Sequence, residues 1–426
     1  MATTQYKKPS HHNQKSSHQE NQVKIKVQTM KQTEIGWIPE DWEVASIKDM
    51  SRTFSGGTPS TENVNYYRGN INWISSGELN QKHIKKTDGK ISESGLNNSS
   101  AKLVEKDTLL IAMYGATAGV VAITGIKGAI NQAVLAIINE QSISNNIFLY
   151  NYLELKKDWI LITYTQGGQP NLNQDIIKNL QIPLPPLPEQ EAIATALSDC
   201  DAWIDSLEAV LAKKRLIKQG AMQELLTPKK DWEVKKLGEV ASYRRGSFPQ
   251  PYGLDKWYDN TNGMPFIQVF DVAKNRKLKN ETKSKISALA QPMSVFVPKG
   301  TIVLTIQGSI GRIALIQYDA YCDRTLLIFQ KIDNCLEKFF FLLQVEQIFE
   351  MEKEKAPGGT IKTITKEALS DFVISFPKSL TEQTRIATIL SDMDAEIEAL
   401  ERKLEKARQI KQGMMQELLT GRVRLV

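Results

Sequence analysis

Cysteine and histidine are scarce in this 426-residue chain, and no familiar catalytic constellation is built from what there is. The three cysteines, Cys200, Cys322 and Cys335, are odd in number and not spaced as metal pairs. That excludes a disulfide framework and fits a reducing compartment. Of the four histidines, His11, His12 and His18 fall in the polar opening and His83 stands alone, so no metal site is expected. There is no Walker-type phosphate loop and no dinucleotide fingerprint. The Gly-rich stretches "GGTPS" (56–60) and "YGATAGVV" (114–121) lack the lysine and the spacing, and read as turns. No acidic cluster resembles a nuclease metal site, and no Asn-Pro-Pro-aromatic motif of an adenine methyltransferase occurs. These absences point away from an enzyme acting alone.

Membrane-length apolar runs are also missing. "TLLIAMYGATAGVVAI" (108–123) is short for a bilayer span and rich in Gly and Ala, and "TIVLTIQGSIGRIALI" (301–316) contains Arg312. Both read as buried strands joined by a Gly turn. The opening residues are polar and carry no secretory pattern. The expected setting is the cytoplasm, with no membrane partner.

What is present is charge, unevenly spread. The net charge is +6. Residues 228–379 hold 23 basic and 17 acidic residues, whereas 41–188 hold 13 of each. The segments 189–227 and 380–420 are acidic, at −3 and −2. A basic surplus in one globular segment is compatible with a polyanionic partner.

The chain also repeats itself. "LPEQEAIATALSDCDAWIDSLEAVLAKKRLIKQGAMQELLT" (187–227) aligns without a gap with "LTEQTRIATILSDMDAEIEALERKLEKARQIKQGMMQELLT" (380–420), at an offset of 193 and with about two-thirds identity. "DWEV" recurs at 41–44 and 231–234, and "TLLIAMYG" ending at Gly115 matches "TIVLTIQG" ending at Gly308. The layout is tail, domain, helix, domain, helix.

The repeated segments carry heptad seams. In the first these are Ile193, Leu197, Cys200, Ile204, Leu207 and Leu211, and in the second Ile386, Leu390, Met393, Ile397, Leu400, Leu404 and Ala407. Prolines stop the chain before the first helix, and Thr381 is a candidate cap for the second. Acidic residues lead and basic ones follow, matching the helix dipole. A narrow seam cannot bury itself, so the two helices are expected to pack together as an antiparallel coiled coil. Gly220 and Gly413 stand late in the pattern, as close-packing points, kinks or tolerated helix glycines.

The intervening segments read as mixed α/β. Strands are expected at 71–75, 108–115, 120–124, 133–138, 264–272, 301–308 and 325–330, and helices at 145–160 and 335–355. Each domain then passes through a Gly-Gly turn (Gly167-Gly168 or Gly358-Gly359) and a last strand. Expected boundaries are a disordered polar tail at 1–29, domains at 30–186 and 228–379, and helices at 187–227 and 380–426, the last including a short C-terminal tail.

Both domains mix polar turns, basic residues and aromatics, as nucleic-acid binding requires. Arg and Gln read guanine and adenine edges, while Lys, Ser and backbone amides hold phosphates. The candidates in the first domain are Thr58, Tyr67, Arg68, Gln132 and Gln169. Those in the second are Arg244, Arg245, Ser247, Gln307, Arg312, Arg324 and Lys362. Tyr66, Trp73, Tyr243 and Tyr252 lie in the same polar stretches.

With its helix motif "PLPPLPEQEAIATALSDCDAWIDSLEAVLAKKRLIKQGAMQELLT", the opening "TEIGWIPEDWEV", the "GGTPS…WISSGEL" block and the closing "KQGMMQELLTGRVRL", the chain resembles the specificity (S) subunit of Type I restriction–modification systems. The match runs from about Met30 to the end. The second domain departs from it, lacking a "GGTPS" block and reading "ISFPKSLTEQ" in place of "IPLPPLPEQ".

The resemblance implies two target-recognition domains reading a split, asymmetric site on double-stranded DNA. It also implies two modification (M) subunits, which carry S-adenosylmethionine and methylate adenine, and restriction (R) subunits, which use ATP and Mg. Neither activity would reside in this chain, and no cofactor of its own is expected. The competing expectation is a coiled-coil scaffold without sequence-specific DNA binding.

Overall fold

A computed structural model of the chain describes residues 29–165, 171–355 and 366–425. The polar tail and both Gly-Gly turns lie outside these residues. The chain divides into two compact units, Met1–Asp201 with Gln409–Val426, and Ala202–Arg408.

The first unit is built on two sheets. One has the order Ser51–Ser55, Val134–Asn139, Leu109–Ala112, Val121–Thr124, His83–Ile84. The other has the order Gly89–Ile91, Ile71–Ile74, Gly128–Ile130, Lys102–Val104. Strand side chains alternate between faces. Leu109, Ile111, Leu135 and Ile137 therefore pack with Phe148, Leu149 and Leu153 of the helix Asn146–Tyr164. Their neighbours Leu110, Ala112, Val134 and Ala136 pack with Ile74, Leu79 and Ile130. Both faces are covered, which is why these strands read as continuous apolar runs rather than as alternating ones.

The second unit repeats the plan. Its larger sheet has the order Ala241–Arg245, Leu326–Ile332, Ile302–Thr305, Ile313–Leu315. Its smaller sheet has the order Ser284–Ile286, Met264–Ile267, Ala320–Cys322, Val295–Val297. The helix Lys338–Lys355 takes the place of Asn146–Tyr164. The short strand His83–Ile84 has no counterpart among the described residues. The strands expected at 108–115, 264–272 and 301–308 are each shorter, covering Leu109–Ala112, Met264–Ile267 and Ile302–Thr305, and after Met264–Ile267 the chain turns as a 3-10 helix at Val269–Asp271. The fully buried Asp271 carboxylate causes the turn, accepting the Gln268 N–H at 2.8 Å and the Lys283 N–H at 3.0 Å.

The repeated segments form two long helices, Leu187–Leu226 and Leu380–Leu418. In the second unit Ile204, Leu207 and Leu211 pack on Ile397, Leu400, Leu404 and Ala407. Partner numbers fall as residue numbers rise: Glu208 pairs with Arg408, Arg215 with Glu401, and Lys218 with Asp394. The helices are therefore antiparallel there. Ile386 and Leu390 instead join the core beneath Phe340 and Phe341. In the first unit Ile193 and Leu197 pack with Met415, Leu418 and Leu419. Neither Gly220 nor Gly413 faces an atom within 4 Å, and both helices run through them, so neither is a close-packing point or a break. The second helix begins before Thr381, and the Ser379 side chain accepts from the Glu382 N–H at 3.4 Å in the capping role.

A buried glutamine fastens each helix start to its domain. Gln190 Oε1 accepts the Asn145 N–H at 2.9 Å, and its Nε2 donates to the Ile143 and Pro185 carbonyls at 3.0 and 2.9 Å. Gln383 repeats this with the Glu337 N–H at 2.7 Å and the Cys335 and Pro377 carbonyls at 2.8 Å. Both side chains are fully buried, where unpaired amides are costly.

The second unit adds an ionic latch. Arg276, only 6% exposed, reaches Glu346 at 2.6 Å and Asp394 on the second long helix at 2.5 Å. Next to it, Lys277 pairs with Glu398 at 2.7 Å. A loop of the second unit is thereby held against the helix by two neighbouring cations.

Candidate nucleic-acid interface

The candidate interface rests on a turn that occurs once in each unit. In the first, the strand Gly128–Ile130 runs parallel to Ile71–Ile74 and then turns at Asn131. Asn131 N–H donates to the Ile74 carbonyl at 3.2 Å, and its side-chain oxygen accepts the Ala133 N–H at 3.1 Å. In the second, the strand Ala320–Cys322 runs parallel to Met264–Ile267 and turns at Asp323. Asp323 N–H donates to the Ile267 carbonyl at 3.0 Å, and its carboxylate accepts the Thr325 N–H at 2.8 Å. Such Asx turns fix the direction of the residue that follows. That residue is Gln132 in one unit and Arg324 in the other, and both are exposed.

A glycine loop crosses behind each turn. A Cβ on Gly56 would lie 1.8 Å from the Ile130 carbonyl oxygen, and one on Gly246 would lie 2.3 Å from the Cys322 and Asp323 oxygens. Only glycine fits at either place. The second domain therefore does carry a counterpart of the "GGTPS" block, in the form "RGSFPQ". Gly246 and Pro249 stand at the spacing of Gly56 and Pro59, a signal visible in the sequence but hidden by the loss of the second glycine and the threonine.

The two loops brace their turns differently. In the first unit the Thr58 hydroxyl donates to Gln132 Oε1. In the second, the Tyr252 ring lies under the Arg324 guanidinium at 5.6 Å and beside Phe248 at 5.0 Å. Tyr252 donates its hydroxyl to Asp323 at 3.0 Å and accepts from Gln268 Nε2 at 2.5 Å. Burial, reinforced by the Asp323 carboxylate, pushes the Tyr252 hydroxyl above its ordinary range, so it stays a donor. Asp323 and Gln268 were not among the residues singled out from sequence, because their role depends on strands far apart in the chain.

The remaining candidates are spread over these surfaces. Tyr67 is half-buried, with its hydroxyl donating to the Pro59 carbonyl at 2.6 Å, and Arg68 is exposed after the same short helix. Arg244 and Arg245 are exposed at the end of their strand, and Arg244 Nε turns back to the Arg245 carbonyl at 3.3 Å. Ser247 donates to the Met293 carbonyl at 2.9 Å. Gln307 is exposed in a tight turn containing Gly308 and Gly311, both at positive φ. Arg312 closes that turn, half-buried, with its guanidinium 3.4 Å from the Val272 carbonyl. Gln169 and Lys362 lie outside the described residues. Among the described residues no three metal-ligating side chains cluster, and no helix is long and apolar enough to cross a membrane.

Comparison with known proteins gives one consistent result. The family described as "Type I restriction modification DNA specificity domain" matches residues 39–217 and 229–409. The MjaVIII specificity subunit of Methanocaldococcus jannaschii is 26% identical over 421 residues, covering 91% of this chain and 94% of that one. The putative MjaX specificity subunit of the same organism is 26% identical over 428 residues, with 94% and 98% covered. Among solved structures, the Type I S subunit from M. genitalium shares the fold with a TM-score of 0.57 at 15% identity, covering 88% of this chain and 96% of that one. A chain from a type I R-M system does so with a TM-score of 0.56 at 17% identity, with 91% and 99% covered.

Proposed function

Because the chain belongs to the type I restriction–modification DNA specificity family, we propose that it selects the target of a type I complex by reading a bipartite, asymmetric site on double-stranded DNA. One observation carries this reading. The same two-sheet plan is built twice, yet the matched turns present different residues, Gln132 and Arg324. A shared scaffold with different exposed readers suits two different half-sites, with phosphate contacts positioning and base contacts specifying. The long helices would set the unread spacer, as dimer spacing sets half-site separation in symmetric repressors.

The helices would also present equivalent docking faces to two M subunits, since about two-thirds of their aligned positions are identical. The chain itself supplies no chemistry in this reading. S-adenosylmethionine would be held by the M subunits, and ATP and Mg by R subunits. The target adenine would be flipped out of the duplex into an M subunit. The setting would be the prokaryotic cytoplasm.

The test is single-molecule methylome sequencing of a host expressing this chain with its M subunit. The expected outcome is a methylated motif in two parts with a fixed spacer. A continuous palindrome would overturn the reading. Deleting one heptad from a single helix should change the spacer or abolish assembly while leaving the half-site bases as they were.

A further inference from the structure

We propose that the residue after each matched turn is the base reader of its domain: Gln132 recognises an adenine in one half-site and Arg324 a guanine in the other. This rests on the reading above and assigns its chemistry to particular atoms.

The positions are equivalent by geometry. Each follows an Asx turn fixed by the neighbouring parallel strand, and each has a Gly-x-x-Pro loop crossing behind it. Each side chain is held from one side only. The Thr58 hydroxyl takes one lone pair of Gln132 Oε1. The second lone pair and the Nε2 hydrogens together match the adenine N6 donor and N7 acceptor. The Arg324 guanidinium lies over the Tyr252 ring at 5.6 Å, and its fork of N–H donors matches guanine O6 and N7. The support is itself locked, because Tyr252 is tied to Asp323, the turn residue adjoining Arg324, and to Gln268. A pre-oriented side chain loses little freedom on binding, and that is what discrimination between bases requires.

Three other arginines of the second domain are committed elsewhere, while Arg245 is exposed on its strand. Arg276 is buried in ion pairs, Arg312 reaches toward a backbone carbonyl, and Arg244 turns back on its own strand.

The experiment compares methylomes of hosts carrying the full chain, with its M subunit, as wild type, Gln132→Ala, Arg324→Ala or Arg324→Lys. Arg324→Ala should make one guanine position of one half-site degenerate, with a roughly ten- to hundred-fold loss of discrimination there, and leave the other half-site intact. Gln132→Ala should do the same at one adenine of the other half-site. Arg324→Lys keeps the charge but not the fork, and should relax the guanine as the alanine variant does.

If methylation is lost altogether, the purified variant complexes are titrated with duplexes substituted one base pair at a time. Selective loss of preference at a single position supports the assignment. Uniform weakening across all substitutions, rescue by Arg324→Lys, or an unchanged motif overturns it. A wild-type motif that is not bipartite would instead sink the broader reading.

Discussion

Arg215 pairs with Glu401 at 2.5 Å, and moving each residue by 193 positions gives Arg408 and Glu208, which pair at 2.6 Å. Within the second unit the helix pair thus has a local twofold, written by the sequence repeat and read out as reciprocal ion pairs. The same operation takes Lys218 with Asp394 to Lys411 with Asp201, and the latter pair meets at 2.6 Å inside the first unit. Within the repeat, "IKQGAMQELLT" (217–227) and "IKQGMMQELLT" (410–420) differ only at Ala221 against Met414. Met414 packs at 3.3 Å against Cys200, while its counterpart Ala221 lies in the cluster that holds Met393.

The exposed members of this ladder should contribute little. Arg215→Ala is expected to change stability by no more than about 0.5 kcal/mol, because exposed ion pairs are screened. Arg276→Met should cost about 3 kcal/mol, because it takes the buried guanidinium away from Glu346, while Asp394 keeps Lys218. Chemical denaturation of both variants beside the wild type checks the contrast, and equal midpoints would contradict it.

Gln383→Leu removes one side chain but orphans three backbone groups, the Glu337 N–H and the Cys335 and Pro377 carbonyls. The expected cost is about 3 kcal/mol, and Gln190→Leu should match it because its bonds are equivalent. A variant with wild-type stability would show that these bonds are dispensable.

Glycine substitutions should divide by surroundings. Gly246→Ala drives a Cβ into two backbone carbonyls and is expected to cost at least about 2 kcal/mol. Gly413→Ala meets open space within a helix and should stabilise by about 1 kcal/mol. Thermal melts of the two variants should move in opposite directions.

The C-terminal Arg424 bridges Glu189 and Asp41 and lies over Trp42. Its hydrogen bond to Asp41 holds that carboxyl below its ordinary value of 3.8. A depressed carboxyl contributes stability above its unfolded value and loses it as pH falls through the folded one. Asp41→Asn should therefore be less stable than wild type at pH 7, with the gap closing below about pH 4. A gap that persists unchanged at pH 2 would rule out this linkage.

Much of the fold was legible because local rules carry it. The heptad spacing placed Ile204, Leu207, Leu211, Ile397 and Leu404 on one stripe, and the structure buries them in one cluster. Apolar runs marked the central strands, since both faces of the larger sheets are covered. The strand expected to reach Val272 ended early because the Asp271 acceptor draws its bonds from Gln268 and from Lys283, which lies twelve residues beyond it. Nothing in the local pattern announces that capture.

The sequence by itself determined the repeat, the helices and their offset, because periodicity and identity are one-dimensional properties. Tertiary structure alone decided which polar residues stand where a ligand can meet them. Gln132 and Arg324 lie in unlike stretches of sequence, and their equivalence appears only when parallel strands carry each to the same turn and a glycine loop passes behind it. Strand pairing across long separations sets that geometry, and long-range pairing leaves no local trace.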